Sequence, residues 1–116
     1  MDIYHVWCDL KPGVSDTEFA ANTSEFLGHL RAQGKIGGFR LTRRKLGLGP
    51  SDLGDFHIMI ETEDLAQLDA AFKHVATRSG EVEKAHFSVN SMASKVRFAL
   101  YRDFPDIVRK TGGEKF

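Results

Sequence analysis

The chain has 116 residues, enough for one domain around a single core, and 41% of them are hydrophobic. Its 16 Lys and Arg balance 16 Asp and Glu, which argues against nucleic acid or an anionic membrane as a partner, since both call for a basic surface. A single cysteine, Cys8, excludes an intrachain disulfide; Met1-Asp2-Ile3-Tyr4-His5 lacks a signal-peptide pattern, and no apolar run approaches the ~20 residues of a membrane span, so a cytoplasmic location is expected.

Residues 3 to 8, Ile-Tyr-His-Val-Trp-Cys, are aromatic and β-branched and predict a strand that Lys11-Pro12-Gly13 ends. Ser15 with Glu18 three residues on has the spacing of a capping box. Phe19, Thr23, Phe26, Leu27 and Leu30 then recur at helical spacing, and Gly34 is suited to close the helix. A second strand is predicted over Phe39 to Leu46, after Gly37-Gly38. Its Arg40, Arg43, Arg44 and Lys45 mark it as an edge strand, where charge discourages unwanted pairing. Residues 47 to 55 read as a flexible hairpin loop, and Phe56 to Thr62 as the third strand. Thr62 is expected to cap the next helix, whose inner face would carry Leu65, Leu68, Phe72, Val75 and Ala76. Ser79-Gly80 breaks that helix. Its second piece presents Val82, Ala85, His86, Val89 and Ala93, and the last strand is predicted over Lys95 to Arg102. The domain is expected to span residues 1–104, with a tail over 105–116 that is loose at its end.

The order strand, helix, strand, strand, helix, strand predicts an α+β, ferredoxin-like fold with an antiparallel sheet. Side chains alternate between the faces of a strand. One face collects Tyr4, Val6, Cys8, Phe56, Ile58, Ile60, Val96, Phe98 and Leu100, and should lie under the helices. The other collects Ile3, His5, Trp7, His57, Met59, Glu61, Arg97, Ala99 and Tyr101. No element remains to cover this second face. An apolar patch of that size is rare on a monomer, and each large side chain buried gains ~1.5 to 3 kcal/mol. A two-fold homodimer is therefore expected, with Ile3, His5, Trp7, His57, Met59 and Tyr101 at its interface.

With these strands in view, the chain resembles the dimeric α/β-barrel superfamily, and within it the stress-responsive α/β-barrel domain. The resemblance covers roughly residues 1 to 104. It is carried by Asp55-Phe56-His57-Ile58-Met59-Ile60-Glu61, by Val96-Arg97-Phe98-Ala99-Leu100-Tyr101-Arg102-Asp103-Phe104, and by the broken helix with a His in its second piece. It implies a dimeric barrel built from two ferredoxin-like chains. Relatives of this fold include cofactor-independent monooxygenases, haem-handling enzymes and small-molecule isomerases, and no motif in this chain selects among them.

Several residues are candidates for chemistry. His5 and His57 fall on the same face of neighbouring strands, which lie about 4.8 Å apart, so the two imidazoles can meet if the register allows it. They read as a hydrogen-bonded pair in a partly polar interface or as the start of a metal site. The metal reading needs a third ligand, and Glu61 is about 13 Å along the strand from His57, so no metal is expected. Tyr4, His86 and Asn90 converge on the space between helices and sheet and form the candidate ligand site; the alternative is a His86 satisfied by a backbone carbonyl. Cys8 reads as an inert core thiol because strand parity places it opposite His5. Gly47-Leu48-Gly49 and Gly54 do not complete a phosphate-binding fingerprint, since position 52 is Asp and no Lys follows Gly54. No cofactor is expected. The cluster from Arg40 to Lys45 reads as a solvated edge strand, or as an anion grip if its side chains converge.

Two functions compete. One is a homodimer of the stress-responsive type that binds a small ligand or serves a structural role. The other is a cofactor-independent monooxygenase or isomerase acting on a small organic molecule. A cavity lined by Tyr4, His86 and Asn90 would separate a binder or enzyme from a structural protein, which should fill that space.

Overall fold

The computed structural model describes residues 1–110 and 112, and among them four strands and three helices follow in the order β1 (Asp2–Leu10), α1 (Asp16–Ala32), β2 (Gly38–Arg43), β3 (Phe56–Thr62), α2 (Leu65–Ala76), α3 (Gly80–Asn90) and β4 (Ala93–Arg102). The strands form one antiparallel sheet in the order β2-β3-β1-β4. This is the ferredoxin-like α+β fold, with the second helix in two pieces.

Helix α1 begins and ends where its sequence signals lie. Ser15 stays extended and its hydroxyl accepts from the Glu18 N–H at 3.3 Å. At the other end Gly34 adopts a positive φ of 71°. The Lys35 N–H then bonds the Leu30 carbonyl at 2.9 Å and the Gly34 N–H the Arg31 carbonyl at 3.0 Å, the paired closure of a Schellman motif. The buried stripe is Phe19, Thr23, Phe26, Leu27 and Leu30, as the spacing predicts.

Pairing in the sheet fixes which side chains share a face. Tyr4 lies opposite Ile60 and Leu100, and Val6 opposite Ile58 and Phe98. His5 lies between Met59 and Ala99, and Trp7 between His57 and Arg97. The helices pack on the Val6, Cys8 and Ile58 face, where Phe19, Phe26, Leu27 and Leu30 join Cys8, Phe56 and Ile58 in the core.

Several boundaries and neighbours differ from the sequence expectation. β2 ends at Arg43, not Leu46, because Arg44 N–H closes the hairpin on the Asp55 carbonyl at 2.6 Å and Leu46 then takes a positive φ of 56°. The cap of α2 is Asp64, whose carboxylate accepts from the Gln67 N–H at 2.8 Å. Thr62 is instead buried in the sheet, its hydroxyl donating to the Asp2 carbonyl at 3.3 Å. On α2 the buried residues are Leu68 and Ala71, while Leu65 and Phe72 are each 47% exposed. Ala93 belongs to β4, opposite Leu10, and an irregularity in the β1–β4 pairing, with Lys95 at a positive φ of 52°, lets β4 start two residues before Lys95.

The largest departure concerns β4. Its first half, Ala93 and Val96, packs against the core. Its second half runs past the helical layer, leaving Phe98 62% and Leu100 51% exposed on the face expected to lie under helices. The reason is positional: β4 is an edge strand beside β1, and its end lies beyond the reach of α2 and α3. After β4 the segment from Asp103 to Lys110 forms bends and turns, with Phe104, Ile107 and Val108 exposed. The far end of the tail, expected to be loose, lies outside the described residues.

Candidate functional site

A cavity of about 230 Å³ opens between the helices and the sheet. Strands β1, β3 and β4 form its floor through Tyr4, Val6, Ile58, Ile60 and Phe98, and α1, α2 and α3 form its walls. Tyr4, His86 and Asn90 all line it. The Tyr4 ring meets Phe72 edge-on at 5.2 Å and stacks on Phe98 at 5.9 Å. Since Phe72 and Phe98 are both substantially exposed, these three rings form an aromatic rim. Burial pushes the Tyr4 phenol up, so it stays a neutral hydrogen-bonding group near pH 7.

His86 stands on α3 with its ring 5.4 Å from that of Phe26. No backbone carbonyl satisfies it: its Nδ1 is buried without a hydrogen-bond partner, and Glu83 Oε2, 4.0 Å away, is equally orphaned. Burial lowers the His86 pKa, the Arg78 charge lowers it further and Glu83 works the other way. The net direction favours the neutral imidazole. Thr23 also lines the cavity, and its hydroxyl is buried with no partner. Every lining residue is uncharged apart from the titratable His86. The wall is thus apolar with a few neutral polar groups, a composition that suits a small organic molecule.

On the opposite face of the sheet, His5 Nδ1 lies 2.8 Å from His57 Nε2. Trp7 stacks on His57 with ring centres 4.5 Å apart, and Tyr101 meets His5 edge-on at 4.9 Å. No helix of the described residues packs on this face. Ile3, Trp7 and Met59 are partly exposed there, and Tyr101 is 60% exposed. Among the described residues, no group of three or more His, Cys, Asp or Glu side chains is placed to hold a metal ion.

The whole sequence, residues 1–116, matches the family of unknown function DUF6614. The chain belongs to that family. A comparison with curated proteins finds no match. Among solved structures, an Arabidopsis thaliana protein shares the fold at a TM-score of 0.67 and 13% identity, with 93% of this chain aligned to 100% of the other. A dimeric ferredoxin-like protein of unknown function from Jannaschia sp. aligns at a TM-score of 0.65 and 14% identity, over 89% of this chain and 100% of that one. A cofactor-independent oxygenase from Streptomyces nogalater, in a mutant form, aligns at 0.60 and 12% identity, over 93% and 97%. At these identities the likeness is one of fold.

The other candidates in the DUF6614 chain have structural roles. Cys8 is 1% exposed, and burial together with the Asp9 charge pushes its thiol up to about 11, far from the thiolate a nucleophile needs. The basic cluster does not converge. Arg43 pairs with Asp16 at 3.0 Å, while Arg44 donates to the Pro50 and Leu53 carbonyls at 2.6 and 2.7 Å and lies 3.7 Å from Asp55. Lys95 Nζ adds a bond to the Ser51 carbonyl at 3.0 Å. The loop expected to be flexible is therefore pinned, and none of its residues from 47 to 55 lines the cavity. Sequence reasoning missed Thr23 and Phe98. Thr23 has the spacing of the buried helical stripe, and only the cavity beside it distinguishes it. Parity places Phe98 on the helix-covered face, but it fixes a face and not what lies above it. Among the described residues, no helix is long and apolar enough to cross a membrane.

Proposed function

We propose that this chain forms a homodimer of the dimeric α/β-barrel kind, of stress-responsive type by its strand pattern, and that each subunit binds a small organic molecule between helices and sheet. The cavity of about 230 Å³ lined by Tyr4, His86 and Asn90 carries the reading. Protein interiors pack to crystal-like density with few voids larger than a water molecule, so a domain built for structure alone is expected to close this space with side chains. The homodimer is supported by the uncovered sheet face of His5, Trp7, His57 and Tyr101, and by the dimeric state of the Jannaschia protein that shares the fold.

Native mass spectrometry of the purified protein, with solvent extraction of what it carries, tests both parts. The expected species is a dimer holding one small molecule per chain, lost when Val75, a cavity-lining residue, is changed to Phe. A monomer, or a dimer that neither carries nor takes up any apolar compound, would overturn the corresponding half of the proposal.

A second reading, a cofactor-independent monooxygenase or isomerase, is favoured by one observation. His86 is held neutral by burial at the cavity wall, which leaves it able to accept a proton from a bound substrate. Turnover of a candidate substrate that is lost on His86→Phe, with binding retained, distinguishes this reading from simple binding.

A further inference from the structure

His86 Nδ1 and Glu83 Oε2 are the key pair. Both are buried, neither has a hydrogen-bond partner, and they lie 4.0 Å apart on consecutive turns of α3. Each leaves a desolvated polar atom unpaired, which is unfavourable for a buried group. One proton satisfies both: an N–H on Nδ1 donates to Oε2 once the side chains close by about 1 Å, and such contacts are often long until a ligand is present. Arg78 Nη1, 3.8 Å from Glu83 Oε1, holds the other carboxylate oxygen. With its proton on Nδ1, a neutral imidazole has only Nε2 as an acceptor. Since Nδ1 is turned to Glu83 and shut off from solvent, Nε2 is the nitrogen left for the cavity that His86 lines.

The rest of the lining fixes the charge and size of what binds. No Asp, Glu, Lys or Arg lines the cavity, so an ionic group drawn inside the aromatic rim would be buried without a counter-charge, which is costly. The volume of about 230 Å³ exceeds the roughly 150 Å³ that accepts benzene in an engineered apolar cavity. A ring bearing a short alkyl chain is of the right size.

We infer that Glu83 positions His86 with its proton on Nδ1, so that Nε2 accepts a hydrogen bond from an uncharged, mainly apolar ligand that carries one hydroxyl group. This rests on the cavity being a binding site, and it adds a ligand class and a positioning residue to that reading.

Calorimetry with four probes tests it: 4-propylphenol, 4-propylanisole, propylbenzene and 4-propylbenzoate. The phenol should bind about threefold to tenfold more tightly than the anisole or the hydrocarbon, the value of one net hydrogen bond, and the benzoate should not bind. In Glu83→Leu that preference should disappear while propylbenzene binds as before. The nitrogen-15 shifts of His86 should show Nδ1 protonated in the native protein and a mixture of tautomers in Glu83→Leu, a change that loss of packing alone does not produce. Glu83→Gln, whose amide oxygen can still accept from Nδ1–H, should restore both signatures and serves if the Leu variant folds poorly. Equal affinity for phenol and anisole would overturn the hydroxyl preference while leaving the binding site intact. Tight binding of the benzoate would overturn the uncharged class. An unchanged tautomer in Glu83→Leu would overturn the role of Glu83. Failure of all four probes to bind would overturn the binding site itself.

Discussion

His5 and His57 share one proton position: Nδ1 of the first and Nε2 of the second stand 2.8 Å apart across the β1–β3 pair. One ring must donate and the other accept, so the two cannot both be charged without setting two N–H groups against each other. Trp7 stacks on both rings, at 5.5 Å from His5 and 4.5 Å from His57, which holds them in plane and partly dry.

The pair makes the protein sensitive to mild acid. Burial lowers the pKa of His5, and burial together with the His5 charge lowers that of His57. The unfolded chain therefore binds more protons, and stability rises with pH across the interval between folded and unfolded values. It is fully present above the unfolded value of about 6.5 and declines as pH falls below it. Urea titrations from pH 7.5 to 5 should show a loss of about 1 kcal/mol, the worth of the hydrogen bond that protonation breaks. Changing both residues to Gln should flatten that loss; an unchanged slope in the double variant would show that other groups set it.

Trp7 and Cys8 are neighbours in sequence on opposite faces of β1, and their substitutions should separate assembly from folding. Trp7→Ala removes the ring that stacks on His57 and part of the uncovered face. In the proposed dimer it should raise the dissociation constant at least tenfold, about 1.4 kcal/mol. Cys8→Ala empties a small volume in the core and should lower monomer stability by about 1 kcal/mol with little effect on dissociation. Sedimentation at graded concentrations reads both. Equal effects on dissociation would count against the sheet face as the interface.

Most of the framework was legible in the chain because it rests on local signals. The Ser15 cap, the Gly34 closure, the Phe19-to-Leu30 stripe and the Phe56–Thr62 strand each depend on residues within a turn or two of one another. Parity and strand adjacency placed His5 and His57 on one face; the register, which sets His5 opposite Met59 and His57 opposite Trp7, makes them diagonal neighbours and had to come from the structure. What the sequence could not show depends on how far one layer extends over another. Phe98 and Leu100 have the parity of core residues, yet β4 outruns the helices. Arg44 has the charge of an edge strand, yet it turns back to bind the carbonyls of Pro50 and Leu53. The Glu83–His86 contact is not legible either, because a helical spacing of three says nothing about which side chains lack other partners.

Gly54 should tolerate no side chain. A Cβ there would lie 2.2 Å from the Cys8 carbonyl carbon and 2.7 Å from the Asp9 nitrogen, both backbone atoms of a central strand. Nearby, the Asp55 N–H bonds Asp9 Oδ1 at 2.9 Å and ties the loop to β1 at this point. Gly54→Ala must push the loop off β1 or bend the strand, at a cost of about 1 to 3 kcal/mol, the usual range for overpacking. Gly47→Ala, which has open space around its Cβ position and a φ of 68°, serves as a control for backbone strain alone. Thermal melts should show the larger loss at Gly54; equal losses would mean that the close approach to β1 is not the constraint.

Thr23 should be more useful to the ligand-free fold as valine. Its side chain is fully buried on α1 and its hydroxyl has no hydrogen-bond partner, so the folded state bears the desolvation of that group without return. Valine has nearly the same shape and a similar helix propensity, and it replaces the hydroxyl with a methyl that belongs in an apolar wall. Thr23→Val should therefore raise the stability of the free protein by about 1 kcal/mol, visible as a higher urea midpoint with an unchanged slope. Thr23→Ser is the counterpart. It keeps the orphan hydroxyl, loses a methyl, and should be destabilised by a similar amount. A destabilised valine variant would show that the hydroxyl is satisfied in solution, by water or by the α1 backbone, and would remove it from the polar groups the cavity offers.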